Sequence, residues 1–276
     1  MPDSVGLCAV TARMAGASMN LFSTPAGTMA NKVPEVTVIF WIIKIMSTTV
    51  GETGADYLAV RVGLGTALTA AIMGALLIVM LGLQLHARRY EPWIYWTTVV
   101  LVSIVGTQIT DVLTDSLGVS LYASTCAFAV ALALAFAIWF AVERTLSIHT
   151  IFTTRREAFY WAAVLLTFAL GTAAGDLATE ALGLGFGFGV VVFGGLIAAV
   201  AFTYASGVDA VLTFWLAYIL TRPLGASLGD LLSQAKDYGG FGLGTVTTSL
   251  AFLSVIVVLV GYATFAPRTV PASEAG

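Results

Sequence analysis

Charge is scarce in this chain. Only 10% of its 276 residues are charged, against 59% hydrophobic, where a soluble domain carries about 25% charge. So little polar surface cannot coat a globule in water, and the chain reads as an all-α polytopic membrane protein. Cysteine is nearly missing. Cys8 and Cys126 stand far apart, without His or Cys neighbours, so neither a disulfide framework nor a thiolate metal site is expected. Histidine is limited to His86 and His149, each ahead of an arginine pair (Arg88-Arg89 and Arg155-Arg156) and read as loop residues. No Ser/His, Cys/His or metalloprotease signature falls on a hydrophobic stretch, so neither an enzyme nor a cofactor is expected. No basic cluster is large enough for nucleic acid.

Long apolar runs are abundant. Eight stretches reach the roughly 20 residues that cross a bilayer: about 36–57, 62–85, 92–115, 119–142, 158–181, 186–205, 210–232 and 243–266. Odd stretches share a pattern. Tryptophan is followed after ten residues by glycine and after five more by aspartate: Trp41–Gly51–Asp56, Trp96–Gly106–Asp111, Trp161–Gly171–Asp176 and Trp215–Gly225–Asp230. An aromatic precedes each tryptophan (Phe40, Tyr95, Tyr160, Phe214). Even stretches are plain Ala, Val, Leu, Phe and Gly. The expected unit is a helical hairpin, one marked helix and one plain, repeated over about 32–88, 89–154, 155–208 and 209–268. Residues 32–268 then form one eight-helix membrane domain. Residues 1–31 read as a disordered tail or as sequence ahead of a start at Met29, and 269–276 as a short tail.

Basic residues set the orientation. Lys32, Arg88, Arg89, Arg144, Arg155, Arg156 and Arg268 lie on one side, against Arg61 and Lys236 on the other. The positive-inside rule places both termini in the cytoplasm. Each hairpin returns the chain to its starting side, so the four repeats are parallel rather than inverted.

Fifteen residues separate each tryptophan from its aspartate, about 22 Å of rise in a core about 30 Å thick. Trp41, Trp96, Trp161 and Trp215 read as an interfacial belt, or else as an inner gate. The aspartates then lie in the outer half. Asp115 follows Asp111 by four and Glu180 follows Asp176 by four, which stacks two acids on one helix face; Glu52 precedes Asp56. Seven acids on the marked helices face two bases, Lys44 and Arg222. Ordinary helix-end solvation or ion pairing with Lys44, Arg222, Arg61 or Lys236 accounts for any one acid. The same acid at the same offset in four copies points further, to a cation site. Gly51, Gly106, Gly171 and Gly225 serve either close helix packing or local unwinding that frees carbonyls beside the aspartates. Gly54, Gly175 and Gly229 add a second small residue. Thr48, Thr49, Ser103, Thr167 and Thr221 offer hydroxyls, or bond back to their own helices.

The strings FWIIKIMSTTVGETGADYL, TLSIHTIFTTRREAFYW, FALGTAAGDLATEALGLG and AYILTRPLGASLGDLLSQ resemble a bacterial family of uncharacterised membrane-anchored proteins built of four tandem two-helix repeats, each with a tryptophan. The resemblance spans about residues 32–266 and implies eight spans in an inner membrane, with no activity attached. Glu52-Thr53-Gly54-Ala55-Asp56 also loosely resembles the Glu-x-Gly-Asp signature of a manganese/calcium transporter family, with an extra alanine.

The expectation is a cation transporter, extending to divalent metals. Asp56, Asp111, Asp176 and Asp230 converge on a hydrated axis, Glu52, Asp115 and Glu180 assist, and Lys44 and Arg222 act as counter-ions below. The partners are the lipid bilayer and the cation. The alternative is a structural or accessory membrane protein whose charges form interhelical pairs, Asp56–Lys44 and Asp230–Arg222 being the candidates.

Overall fold

A computed structural model describes residues 31–265. Cys8, Arg268, all but Asn31 of the expected tail at 1–31 and the expected tail at 269–276 lie outside the described residues. Eight long helices follow in chain order: α1 (Val38–Asp56), α2 (Thr66–His86), α3 (Pro92–Asp111), α4 (Leu121–Glu143), α5 (Thr154–Asp176), α6 (Phe186–Ala205), α7 (Ala210–Ser233) and α8 (Thr245–Phe265). Seven of them are long and apolar enough to cross a membrane. The other, α1, carries Lys44, Glu52 and Asp56 within its 19 residues.

Local chemistry starts these helices where they start. The side chains of Thr37, Ser120, Thr153 and Asp209 accept from backbone N–H groups of the first turns of α1, α4, α5 and α7 and satisfy donors that no helix can satisfy internally. Pro92 opens α3, where its missing N–H costs nothing. Pro223 lies inside α7 without ending it. Gly65 and Gly185 take positive φ (73° and 74°) directly before α2 and α6, a conformation open to glycine at little cost.

The marked helices α1, α3, α5 and α7 form an inner ring, each packed on the next and α7 closing on α1. Each plain helix packs chiefly on the marked helix of the following repeat: α2 on α3, α4 on α5, α6 on α7, and α8 back on α1. The hairpins therefore interlock in a circle. Composition explains the two layers. The plain helices keep only 11% of an 18-residue window inside the protein and expose apolar side chains. The polar and small residues of the marked helices face inward.

Glycine sets the ring's tightness. A Cβ on Gly51 would collide with Ser103 of α3, on Gly106 with Phe168 of α5, on Gly171 with Arg222 of α7, and on Gly225 with Thr48 of α1. The partner is each time the residue three positions before the next repeat's glycine. Backbones come close enough here for hydroxyls to cross between helices. Thr49 donates to the Gly225 carbonyl at 3.1 Å and Thr110 to the Ala169 carbonyl at 3.1 Å. All four glycines sit within continuous α-helix. The helices instead widen beyond the aspartates, where five-residue π-helical turns (Tyr57–Arg61, Val112–Ser116, Leu177–Ala181) follow Asp56, Asp111 and Asp176.

Candidate functional site

Residues four apart on a helix stack one turn above another, so the inner ring can be followed in layers along its axis. Adding 55, 120 and 174 to a position in α1 gives its counterparts in α3, α5 and α7.

The first layer is aromatic. Phe40, Tyr95, Tyr160 and Phe214 each touch their own tryptophan and that of the following repeat. The cross-repeat centroid distances are 5.6 Å (Phe40–Trp96), 5.4 Å (Tyr95–Trp161), 6.1 Å (Tyr160–Trp215) and 5.7 Å (Phe214–Trp41). Eight rings make a closed belt. Trp96, Trp161 and Trp215 are buried and Trp41 is half-buried, so the tryptophans face neighbouring helices rather than lipid.

One turn on lie Lys44, Val99, Val164 and Tyr218, all buried. The Lys44 ammonium sits 4.0 Å from the Phe168 ring centroid and 4.2 Å from that of Tyr218, with no hydrogen-bond partner among the described residues. Thr48, Ser103, Phe168 and Arg222 form the next layer, and Glu52, Thr107, Thr172 and Ala226 the one after; all eight are buried. The Arg222 guanidinium bridges these two layers. It donates to Glu52 Oε2 at 2.7 Å, to Thr172 Oγ1 at 2.8 Å, to the Thr48 carbonyl at 3.2 Å and to Thr107 Oγ1. One side chain from α7 thereby ties α1, α3 and α5 across the axis.

The expected pairs Asp56–Lys44 and Asp230–Arg222 do not form among the described residues. Lys44 lies twelve residues before Asp56, about 18 Å along the helix, and Arg222 eight before Asp230, about 12 Å. Glu52, level with the Arg222 head, is the nearer acid.

The four repeat aspartates form the layer above Glu52. Each lies within electrostatic reach of Glu52. Around the ring Asp111 also feels Asp56, Asp176 feels Asp111 and Asp230, and Asp230 feels Asp56. Asp230 is buried, the other three are half-buried, and Asp115 and Glu180 are exposed at the rim. Burial therefore rises from the rim through the aspartates to Glu52, and the axis is filled by side chains from Arg222 downward. Among the described residues no three His, Cys, Asp or Glu gather as a metal-binding set. What the arrangement offers is a field of seven acids with one paired base at its floor and Lys44 beneath.

Sequence reasoning did not single out Thr107 and Thr172, which receive the Arg222 guanidinium, or Phe168 and Tyr218, which hold Lys44. The first two were reachable, because Thr107 and Thr172 stand at the repeat positions of Glu52.

A family model described as Repeat of Unknown Function (DUF347) matches residues 39–90, 94–145, 159–207 and 213–269. The chain belongs to that family. Each DUF347 match begins two residues before its tryptophan, so the family's unit is the marked helix with the plain helix after it. No curated protein and no solved structure gives a match.

Proposed function

We propose that this DUF347 protein is a multi-pass inner-membrane carrier for a cation, with both termini in the cytoplasm and the aspartate ring facing the opposite side. The observation that carries this reading is the layer itself: four repeat-related aspartates at one level of the inner ring, within electrostatic reach of the buried Glu52 that pairs with Arg222. Converging acids behind low-dielectric walls concentrate cations, and rings of carboxylates select for them. A hydrated cation enters past Asp115 and Glu180, exchanges part of its water shell for aspartate oxygens, and competes with Arg222 for Glu52. Because side chains fill the axis below, passage needs a rearrangement, which fits a carrier better than an open pore. The divalent option rests on ligand chemistry, since oxygen donors suit hard ions.

Flux into proteoliposomes tests this, with Mn²⁺, Mg²⁺, Ca²⁺ and Na⁺ offered separately. Asp111→Asn and Asp176→Asn are expected to lower the transported ion's flux at least tenfold while leaving the chain folded. Equal flux in parent and variants, or no flux of any of the four ions by the parent, overturns the reading.

One observation favours a second reading, a structural or accessory membrane protein. The Arg222 head is held by three other helices at once, through Thr48 and Glu52 of α1, Thr107 of α3 and Thr172 of α5, as an assembly device would be. Replacing Glu52 and Arg222 together by Met separates the two readings. A double variant that folds as the parent does, where neither carries flux, supports assembly; a folded double variant that loses the parent's flux supports transport.

A further inference from the structure

Away from the axis, a cleft of ≈ 640 Å³ opens in the seam between α7 and α1, where the last repeat meets the first. Its size lies within the roughly 300–1,000 Å³ of small-molecule sites. The interlocked hairpins show why it is there. Each plain helix buries a small residue on its fourth position: Thr69 in α2, Ser124 in α4, Gly189 in α6 and Thr248 in α8. Fifteen residues later, α8 carries Ala263, while α2 and α4 carry a side chain that plugs the neighbouring seam. On α4 this is Trp139, 1% exposed and packed on Phe159 and Trp215 at 6.3 and 5.8 Å. On α2 it is Gln84, also 1% exposed, donating to Glu157 at 2.9 Å. On α6 it is Tyr204, which is 60% exposed and stands at the rim of the open cleft. The closing seam lacks the plug that two other seams have.

Among its lining residues Glu35 and His149 are exposed, Ile45 and Ala217 are half-buried further along α1 and α7, and Thr221, whose hydroxyl bonds back to the Tyr218 carbonyl, is buried. No lysine or arginine lines it. Glu35 is exposed and makes no ion pair among the described residues. Exposed apolar side chains of α6 and α7, Phe202, Leu212 and Leu216, stand on the neighbouring outer surface, the kind of surface that hydrocarbon covers. The end with Glu35 and His149 lies on the tryptophan side, at the level where a bilayer's headgroups meet its hydrocarbon in the proposed orientation.

We propose that this seam cleft binds phosphatidylethanolamine, with one acyl chain along Ile45 and Ala217 and the headgroup ammonium on Glu35. His149 faces the phosphate. An unpaired carboxylate without any basic partner favours a headgroup carrying a cation over one that is purely anionic, and the slot's apolar stretch along Ile45 and Ala217 takes a chain that leaves the bilayer sideways. Tyr204, turned outward, leaves the entrance clear.

Native mass spectrometry of the full chain reads this directly, after reconstitution with phosphatidylethanolamine or phosphatidylglycerol and detergent extraction. The parent is expected to retain one phosphatidylethanolamine per chain in preference to phosphatidylglycerol. Ala217→Phe, which fills the cleft beside Ile45, is expected to lower retention at least tenfold. Ala201→Phe, on the exposed wall, is the second filling variant and does the same if Ala217→Phe fails to fold. Glu35→Gln is expected to keep the chain-filling capacity and lose the headgroup preference several-fold. Retention unchanged in the folded filling variants, equal retention of both lipids by the parent, or detergent as the only adduct overturns the proposal.

Discussion

Replacing Gly106 by alanine tests how the inner ring closes. The added methyl would lie 2.7 Å from Phe168 Cβ and 3.2 Å from the Ala169 backbone nitrogen. Carbon atoms in contact prefer about 3.5–4.0 Å, so the shortfall is near 1 Å. No rotamer change relieves it, because a Cβ and a backbone nitrogen move only with their helix. α3 and α5 must part, and overpacking of this kind costs about 1–3 kcal/mol. The parting also stretches the bond from Thr110 to the Ala169 carbonyl, a net contribution of about 0.5–1.5 kcal/mol. Alanine's helix preference over glycine, about 1 kcal/mol, acts the other way. Gly74→Ala on α2 isolates that last effect, since no atom lies within 4 Å of its added methyl. The expected difference between the two variants is therefore about 1.5–4.5 kcal/mol, with Gly106→Ala the less stable. At about 2–4 °C per kcal/mol for a chain of this size, thermal unfolding in detergent, followed by the monodisperse fraction on size exclusion, separates them. A Gly106→Ala protein melting at or above Gly74→Ala would refute the close-approach argument.

Two further outcomes follow from the axis. Glu52→Gln leaves the Arg222 charge buried without its acid and is expected to cost about 3–5 kcal/mol, whereas the double replacement by Met should come within about 1 kcal/mol of the parent or exceed it; chemical denaturation in detergent checks both, and equal losses in the single and double variants would contradict the pairing. Lys44→Met removes an ammonium whose desolvation costs several kcal/mol and whose two ring contacts return about 2 kcal/mol each. The effects nearly cancel, so stability should change by under about 1 kcal/mol in the same assay, and a loss beyond about 3 kcal/mol would mean that Lys44 has a stronger partner than the two rings.

Much of the architecture was legible because the chain repeats itself. The Trp–Gly–Asp spacing marked alternate helices, and hydrophobic length placed their limits. α6, read as about 186–205, spans Phe186–Ala205. Hydropathy starts the fifth helix at about 158, and it begins at Thr154, because Thr153 caps it and the charged turn Arg155-Arg156-Glu157 is helical; hydropathy does not register a polar helical turn. The aspartate layer was legible from inheritance of position. The partner of Arg222 was not, since Glu52 is 170 residues away and the same-helix acid Asp230 is closer in the chain. The tryptophans were ambiguous for a physical reason: an indole suits both a headgroup layer and a protein core. Nor did any single hairpin show that its plain helix covers the next marked helix, because that preference exists only once neighbours are assembled.

This swapped cover has a consequence for biosynthesis. α1 emerges from the ribosome first, yet the outer helix that shields it is α8, the last to be made. Until then α1 holds Lys44, Glu52 and Asp56 with one flank bare. The last of the eight helices to be made is thus the latch for the first, and a polypeptide cut short before the α7–α8 hairpin loses cover on α1.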